Sequence, residues 1–249
     1  MLIKVDASGL EIRAAFELSG DEVGIKEIID GVDIHEVNRE RFSLPTRLIA
    51  KTYFFRLLYG GSAYAYTVDP LFSVVSRKEK FWQEVIDETY NKYRGLAAWH
   101  KHIVKEAQFT GRLRIPTGRE YIFVPSKDKR GELQWPITQI KNFPVQGFGA
   151  DLVQIARISA WRRLRGEALL VNTVHDSIEL DYKVVDKDYK SCYNICMILE
   201  KCFEDIPENV RHIYGYTMRV PLGGEVSFGN NMASIKKFDR SLGETQFEI

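Results

Sequence analysis

Residues 47–61 read RLIAKTYFFRLLYGG, which is the pattern of one helix ended by glycines. Two cations and two rings recur at every fourth position: Arg47, Lys51, Phe55 and Tyr59. Positions four apart share one helix face, and about 1.5 Å of rise per residue makes this face roughly 18 Å long. Cations at one end would hold a triphosphate while a ring at the other end stacks on its base. The alternative is an ordinary amphipathic helix in which both rings are buried and both cations are solvated.

The chain upstream of this helix predicts one strand and one further helix. LIKV at residues 2–5 is a short apolar run that delivers Asp6 at the end of a strand. Ser19 and Glu22 form the pattern of a capping box, which predicts that a helix opens there. The four-residue repeat itself predicts a helix that begins near Pro45 and stops at the glycine pair.

Downstream of the repeat, the pattern changes from helical to extended and back. A helical apolar period runs through residues 81–93, and proline and glycine punctuation in residues 111–129 predicts extended structure and turns. A helix is expected to start after Gly147. Residues 169–174 and 177–181 then predict two strands joined by a two-residue turn.

Two aspartates carry the candidate chemistry. Asp6 ends the first predicted strand and Asp176 lies in the predicted hairpin turn, so neighbouring strands would put them side by side. Two carboxylates that no nearby protein cation compensates would repel each other and need divalent metal between them. In two-metal catalysis, ions about 3.5 to 4 Å apart stabilise the attacking and leaving oxygens of an in-line displacement.

Composition narrows the class of protein only slightly. The 249 residues are 45% hydrophobic, enough for the core of one large domain or two lobes. A net charge of +1 does not by itself indicate a nucleic-acid binder. Cys192, Cys196 and Cys202 lack CxxC spacing and predict reduced thiols on a helix rather than a zinc site. The sequence shows no signal peptide and no apolar run of membrane length, which predicts a cytoplasmic location and no membrane partner.

Four segments resemble, in the right order, the motifs of the family A (polymerase-I-like) DNA polymerases. They are VDASGLEIRAAFELSGD at 5–21, RLIAKTYFFRLLYGG at 47–61, NFPVQGFGADLVQIA at 142–156 and LLVNTVHDSIELD at 169–181. The resemblance extends from Leu2 to about Met232. It implies an α/β (α+β) fold, with a polymerase palm built on a small antiparallel sheet and a helical fingers subdomain. Residues 1–45 and 168–249 would form the palm, and residues 46–167 the fingers.

The resemblance also implies a role for individual residues. Asp6 and Asp176 match the family's two metal-binding aspartates and are, with Lys51, the implied catalytic residues. The residues that match nucleotide-contacting positions are Glu11, His35, Arg47, Lys51, Phe55 and Tyr59. Glu11 matches the steric gate that excludes a ribose 2′-hydroxyl, so the implied product is DNA. The residues that match template-primer contacts are Arg13, Asn142, Gln146 and His175.

The implied activity is template-directed DNA synthesis by a nucleotidyltransferase that works in DNA replication or repair. Its cofactors would be two Mg²⁺ ions, with Mn²⁺ as a substitute, and its partners primer-template DNA and deoxynucleoside triphosphates. The sequence contains no counterpart of the family's thumb or exonuclease regions. We therefore expect a split polymerase, in which a separate chain supplies the thumb. The same separate chain could also carry an exonuclease. A reduced, split polymerase suggests a phage or other mobile genome, and hence the cytoplasm of a host.

Three positions depart from the family pattern. Arg56 stands where the family usually has glycine, and would either crowd the nucleotide pocket or add a phosphate contact. Ser177 replaces the acid that commonly follows the second aspartate, and Gly9 replaces a polar residue. These departures bear on rate and fidelity rather than on the type of reaction.

Three other functions fit part of the pattern. A catalytically inactive remnant, acting as a DNA-binding or structural subunit, would keep the fold. A single-subunit RNA polymerase shares the acidic pair and the basic helix, but Glu11 as a gate favours DNA. A metal-dependent nuclease would use a similar acidic pair without needing a helix that binds a triphosphate.

Overall fold

A computed structural model describes residues 1–248. Its α-helices are α1 Leu10–Ser19, α2 Glu22–Ile29, α3 Ile34–Arg41, α4 Arg47–Leu58, α5 Ala63–Val68, α6 Pro70–Ser73, α7 Glu79–Lys92, α8 Arg94–Thr110, α9 Ile137–Leu164, α10 Tyr189–Glu204 and α11 Ile206–Tyr214. Its strands are β1 Leu2–Ala7, β2 Arg112–Arg114, β3 Glu120–Ile122, β4 Ser126–Lys127, β5 Leu133–Gln134, β6 Leu169–Val174, β7 Ser177–Asp181, β8 Gly224–Gly229 and β9 Lys236–Lys237. Short 3₁₀ segments follow at Met232–Ser234 and Arg240–Phe247.

The chain forms two compact units. The first contains residues 1–10 together with the chain from residue 149 onwards, and the second contains Glu11–Phe148. The predicted boundaries between palm and fingers lie elsewhere, at residues 45 and 167. The assignment of palm and fingers to stretches of chain stays a prediction.

The first unit is built on a five-stranded sheet in the order β6-β7-β1-β8-β9, with every neighbouring pair antiparallel. Alternation along β1 puts Ile3 and Val5 on its buried face. Helix α10 packs on this unit's sheet through β1 and β8 and contributes buried side chains such as Leu199 and Phe203. The three cysteines are also buried on α10 and none forms a disulfide, as predicted. The other face of β1 is left for polar side chains.

The second unit is helical around an aromatic core. The inward face of α4 carries Tyr53 and Phe54, both fully buried. The Tyr53 ring lies 5.2 Å from Tyr66 and 6.0 Å from Trp82, centroid to centroid, and its hydroxyl hydrogen-bonds Thr89 Oγ1 at 2.8 Å. This packing fixes the rotation of α4, and with it which residues of α4 face outward.

Most of the predicted elements are confirmed. The strand at residues 2–5, the helix of the four-residue repeat and the two strands around the turn at 175–176 occur where expected. Gly60, just past α4, has a φ of +85°, the left-handed conformation that suits glycine at a helix end. The mixed fold of helices and a small antiparallel sheet is confirmed.

Two local predictions are wrong. Ser19 ends α1 instead of capping α2, and Asp21 is the N-cap because its carboxylate accepts the Gly24 amide at 2.9 Å. Helix α9 begins at Ile137 rather than after Gly147. Proline usually breaks a helix interior, but Pro144 is buried within α9, where tertiary packing outweighs the local preference. Within residues 1–248, no helix combines the length and apolar character needed to cross a membrane.

Candidate active site

The first unit brings the two predicted metal-binding aspartates to the same end of adjacent strands. Asp6 on β1 pairs in register with Ser177, the first residue of β7. The next amide along β1, that of Ala7, donates to the Asp176 carbonyl oxygen at 3.0 Å. Main-chain hydrogen bonds therefore hold both residues, and both are half-buried. Two carboxylates so placed offer the oxygen ligands that hard divalent cations prefer.

The turn that carries Asp176 has an unusual backbone. His175 has a φ of +52°, whereas Asp176 has no positive φ, which is the φ pattern of a type II′ hairpin turn. A positive φ is strained for a residue other than glycine, and such strain persists only where the surrounding structure holds it. The β6–β7 ladder and the bond to Ala7 supply that support. The His175 side chain is exposed.

A protein cation lies beside the acidic pair, contrary to the sequence analysis. Lys4 shares the polar face of β1 with Asp6, and its Nζ lies 2.9 Å from Asp6 Oδ1. Lys4 therefore compensates the charge of Asp6, so the argument from uncompensated repulsion does not apply to this carboxylate as it stands. The two-residue alternation of the strand would have revealed Lys4, since residues 4 and 6 of a strand starting at 2 must share a face.

A further carboxylate also faces Asp6. Glu225 on β8 is its register partner, so the two side chains lie on the same face of the sheet. Lys237 Nζ forms an ion pair with Glu225 Oε2 at 3.0 Å. Within residues 1–248, no three His, Cys, Asp or Glu side chains are grouped so as to hold a metal ion. The sequence analysis did not single out Glu225, because pairing across β1 and β8 cannot be deduced from spacing.

In the second unit, helix α4 presents the repeat on its outward face. Arg47 and Lys51 are exposed, and Phe55 and Tyr59 are half-buried. The buried face consists instead of Ile49, Ala50, Tyr53, Phe54, Leu57 and Leu58. The two repeat rings are therefore only partly accessible, in contrast to the fully buried rings of Tyr53 and Phe54. A partly accessible ring on a helix surface can stack on a ligand.

The cations of this face are held by weak contacts. Arg47 Nε donates to Asp33 Oδ2 at 2.7 Å, and Lys51 Nζ lies 5.8 Å from the centre of the Phe55 ring. Asp33 also caps α3 by accepting the His35 and Glu36 amides at 3.1 Å. Because the Arg47 and Asp33 side chains are about half exposed, their ion pair contributes little stability and exchanges readily.

His35 lies beside the Phe55 ring and within the electrostatic reach of Arg47 and Lys51. Its ring centre is 5.7 Å from that of Phe55. Burial, with Arg47 and Lys51 adding repulsion, lowers the pKa of His35 to about 4, so the imidazole is neutral near pH 7. Its Nδ1 is buried without a hydrogen-bond partner among residues 1–248. A neutral imidazole can still hydrogen-bond a phosphate oxygen, and phosphate would favour its protonated form.

The far end of the face is linked to two other predicted site residues. Tyr59 hydrogen-bonds Gln146, and Glu11 lies close enough to act on the phenol electrostatically. Burial is the main cause that raises the pKa of Tyr59, and Glu11 adds to it. The phenol at the end of α4 is thus hydrogen-bonded by a candidate template contact and lies near the steric-gate candidate, all within the second unit.

The remaining predicted DNA contacts are partly buried. Asn142 on α9 has its Oδ1 buried without a partner among residues 1–248, which leaves an acceptor for a ligand. Burial lowers the pKa of Arg13 on α1. Asp6, Asp176 and His175 belong to the first unit; the other predicted site residues belong to the second.

Arg56 is engaged in two contacts within the protein. Its Nη2 donates to Asp69 Oδ2 at 2.7 Å, and its guanidinium lies 4.9 Å from the centre of the Phe72 ring. Asp69 is the N-cap of α6, so these contacts tie α4 to α5 and α6. The side chain is therefore occupied away from the face that carries Lys51 and Phe55.

Comparison with known proteins gives a consistent result. The model of the family described as DNA polymerase family A matches residues 1–234. The chain is 27% identical to the thermostable DNA polymerase I of Thermus aquaticus over 95% of its length, and 24% identical to DNA polymerase I of Geobacillus stearothermophilus over 92%. These alignments cover 27% and 25% of the two relatives, so the chain spans about a quarter of their length.

A solved structure shows a similar fold. It is the POL domain of Pol1 from M. smegmatis in complex with DNA primer-template and dNTP, and it matches 92% of this chain and 39% of its own with a TM-score of 0.73. At 20% identity this match supports the fold alone. The family match, in contrast, covers nearly all of the described residues. The chain belongs to the family A DNA polymerases.

Proposed function

We propose that this chain carries out template-directed DNA synthesis, adding deoxynucleotides to a primer 3′-hydroxyl. The observation that carries the proposal is the placing of Asp6 and Asp176 by main-chain hydrogen bonds at one end of adjacent strands. Family membership and the outward face of α4 support it. The similar structure from M. smegmatis is a complex with DNA primer-template and dNTP, and we propose the same two kinds of substrate for this chain.

The donor set of the acidic pair fits divalent metal. Both candidate ligands are carboxylates, both are partly accessible, and Asp6 already attracts the Lys4 ammonium. Asp6 and Asp176 would hold two Mg²⁺ ions, with Mn²⁺ as a substitute, because both cations prefer oxygen ligands. When bound, the ions would activate the primer hydroxyl and stabilise the departing pyrophosphate. Lys4 would have to release Asp6 as metal binds.

The residues of the second unit would bind the incoming nucleotide. Arg47 and Lys51 supply positive charge for the triphosphate, and neutral His35 supplies a hydrogen bond. Phe55 would contact the deoxyribose. Tyr59, held by Gln146 and next to Glu11, would lie near the templating base. The Glu11 side chain would occupy the space that a 2′-hydroxyl requires, which selects deoxynucleotides.

Four residues are proposed to contact the template-primer. They are Arg13, Asn142, Gln146 and His175. The unpaired Asn142 Oδ1 and the exposed side chains of Gln146 and His175 support this role. Residues 1–45 and 168–249 are proposed as palm and 46–167 as fingers.

A separate chain that carries a thumb is part of the proposal. Phosphate contacts supply much of the affinity for duplex DNA, and a thumb would add such contacts. Co-purification from the native source tests this point: a thumb-bearing chain should accompany the protein, and its consistent absence would contradict the split arrangement. An exonuclease on that partner would appear as primer shortening in the same preparation.

One observation favours a second candidate, an inactive polymerase that only binds DNA. The Lys4 ammonium neutralises Asp6, which is the role that a metal ion would have. In an inactive protein this ion pair would be permanent. The active candidate needs the acidic pair for primer extension, whereas the inactive candidate binds DNA without using the pair.

Primer extension with Mg²⁺ separates them. We expect extension by the wild-type chain and its loss, by at least about 10³-fold, in Asp176→Asn, because removing a metal ligand removes the main source of transition-state stabilisation. Asp181→Asn is the matched control, since Asp181 is an exposed carboxylate at the other end of β7. Extension that survives Asp176→Asn, or DNA binding without extension in the wild type, would favour the inactive candidate.

A further inference from the structure

We propose that a buried polar cluster in the second unit positions α3, and so places His35 beside α4. The cluster consists of Glu27, Asn38, Lys92 and Tyr93, which come from α2, α3, α7 and the residue between α7 and α8. The inference rests on the proposed DNA synthesis, in which His35 binds the triphosphate. It gives a positioning role to residues that the proposed reaction does not otherwise use.

The Lys92 ammonium joins two members of the cluster. Its Nζ lies 2.8 Å from Glu27 Oε1 and donates to Asn38 Oδ1 at 2.9 Å. The Lys92 and Glu27 side chains are only 7% and 16% exposed, so solvent screens their ion pair little. Burial lowers the pKa of Lys92, and the hydrogen bond to Glu27 opposes that change. An ammonium so placed depends on its protein partners, because little water reaches it.

The Tyr93 phenol completes the cluster. Its hydroxyl lies 2.8 Å from Glu27 Oε2 and 3.2 Å from Asn38 Oδ1. Burial, with the charge of Glu27 adding to it, raises the pKa of Tyr93, so the phenol keeps its proton. One proton cannot serve two acceptors equally well, and the shorter bond goes to Glu27. Asn38 Oδ1 therefore takes its stronger hydrogen bond from Lys92.

Asn38 links the cluster to α3. Its side chain is fully buried, and its Oδ1 accepts from both Lys92 and Tyr93. Its Nδ2 has no hydrogen-bond partner among residues 1–248. A buried amide with unpaired N–H groups costs stability, which a leucine at this position would avoid. The role of Asn38 therefore lies in its Oδ1, which holds one face of α3 against the end of α7.

The same tyrosine also contacts α4. The Tyr93 ring lies 5.5 Å, centroid to centroid, from that of Phe54, a fully buried residue of α4. His35 lies three residues before Asn38 and so on the same side of α3, and its ring is 5.7 Å from that of Phe55. Contacts through Tyr93 therefore hold α3 and α4 together one turn away from the point where His35 meets Phe55.

The cluster is better suited to positioning than to stability. Replacing a buried ion pair by apolar side chains of similar size is often neutral or stabilising, because charges lose their hydration on burial. Hydrogen bonds are directional, however, and a buried set of them is satisfied only when the helices that carry it are correctly arranged. Such bonds suit a helix whose His35 must reach phosphate oxygens beside Lys51.

Histidine NMR measures the placing of α3 without any reaction. The pKa of His35 depends on its burial and on the charges of Arg47 and Lys51, and its signal is the one that is missing in His35→Gln. In Asn38→Ala the ring should gain solvent, so the pKa of His35 should rise from about 4 by about one pH unit or more. Asn38→Asp keeps the Oδ1 acceptor, and the pKa of His35 should then stay within about half a pH unit of wild type.

Primer extension supplies a second readout. In Asn38→Ala the KM for deoxynucleotide should rise about fivefold or more with kcat within about twofold, because triphosphate binding is affected before the chemical step. Asn38→Asp should bring the KM back to within about twofold of wild type. A cluster that only stabilised the fold would lower Tm in Asn38→Ala and leave both the pKa of His35 and the KM unchanged.

Tyr90→Phe is the matched control. It removes another hydrogen bond of the same unit, from the Tyr90 hydroxyl to His100 Nδ1, that involves no member of the cluster. It should lower Tm but leave the pKa of His35 and the KM as in wild type. Circular dichroism checks that each variant is folded. Asn38→Ser, whose hydroxyl is too short to reach Lys92, takes the place of Asn38→Ala if the alanine variant does not fold.

An unchanged pKa of His35 in Asn38→Ala, or an equal change in Tyr90→Phe, would overturn the proposal. Failure of the proposed function gives a different result. If the pKa of His35 rises in Asn38→Ala but the wild-type chain does not extend a primer, DNA synthesis fails and the positioning role stands. If the wild type extends a primer and Asn38→Ala matches Tyr90→Phe in both readouts, the positioning role fails and DNA synthesis stands.

Discussion

The acidic end of the sheet and the outward face of α4 hold their side chains in different ways. At the sheet, Asp6 and Asp176 are short side chains on backbone that is fixed by register and by the bond from Ala7 to Asp176. On α4, Arg47 and Lys51 are long side chains held by an exposed ion pair and a distant ring contact. Main-chain hydrogen bonds therefore fix the positions of the two aspartates, whereas exchangeable side-chain contacts fix those of the two cations.

This difference matches the chemistry proposed for each region. Metal ions must lie within a few tenths of an ångström of fixed positions, so their ligands gain from a rigid backbone. A triphosphate arrives and leaves in every cycle, so its cations gain from contacts that exchange easily. The acidic end should therefore respond sharply to small changes in side-chain length, and the helix face should respond mainly to changes in charge.

Among changes that test this comparison and keep the charge, the largest effect is expected for Asp6→Glu. One extra methylene moves the carboxylate by more than 1 Å from a position set by register, and a misplacement of that size costs about 10²-fold in rate. Single-turnover primer extension should show this loss in the chemical step, with nucleotide affinity nearly unchanged. Asp181→Glu on β7 is the control and should behave as wild type. Near-normal rates for Asp6→Glu would mean that the carboxylate position is not fixed by the sheet.

A smaller effect of opposite sign is expected for Asp33→Asn. Asparagine keeps the N-cap of α3 but releases Arg47 from its ion pair, so more of the cation is available for phosphate. Because exposed pairs are weak, the KM for deoxynucleotide should fall by up to about fivefold. Asp30→Asn, which removes the partner of Lys26, is the matched charge control. An unchanged or raised KM would show that the Arg47–Asp33 pair does not restrain the helix face.

The pH dependence of stability should reveal the environment of His35. Its folded-state pKa of about 4 lies below the unfolded value of 6.5, so the unfolded chain binds a proton that the folded chain does not. Stability is therefore full above pH 6.5 and is lost as the pH falls towards 4. In His35→Gln, the loss of unfolding free energy between pH 7 and pH 5 should be smaller than in wild type by up to about 2 kcal/mol.

Chemical denaturation at the two pH values measures this difference, and His100 remains in both proteins, so its contribution cancels. Equal losses in wild type and His35→Gln would contradict the lowered pKa. Such a result would mean that burial, with the charges of Arg47 and Lys51, does not lower the pKa of His35 in solution.

The smallest kinetic effect is expected for Arg56→Ala. Its guanidinium contacts Asp69 and Phe72 rather than the nucleotide face, so nucleotide KM should stay within about twofold of wild type. Loss of the ring contact and ion pair should lower Tm by about 2–4 °C. Arg77→Ala, at an exposed arginine of the same unit, is the control. A change of KM beyond fivefold would place Arg56 in the nucleotide pocket after all.

The sequence predicted local structure well where a single period dominates. The four-residue repeat predicted both the extent of α4 and its outward residues, since helical periodicity depends on nothing outside the segment. The hairpin of β6 and β7 followed from two short strands around two residues. The capping box at Ser19 was wrong because Ser19 still belongs to α1 and Asp21 caps α2, and the start of α9 was wrong because Pro144 is held within the helix by burial.

The sequence by itself determined the family, the fold class and the identity of the candidate site residues, because each depends on residue type at a fixed spacing. Only the tertiary structure decided which side chains neutralise them. Asp33 against Arg47 and Asp69 against Arg56 are pairs between different parts of the chain, and each is set by which helices pack together and by the rotamers that this packing allows. Lys4 against Asp6 is the exception, because the alternation of a single strand already puts both on one face. Spacing along the sequence predicts helices and strands, because their periodicity depends only on the segment itself. It does not predict charge pairs between separate elements, because these depend on which side chains lie within a few ångströms in space.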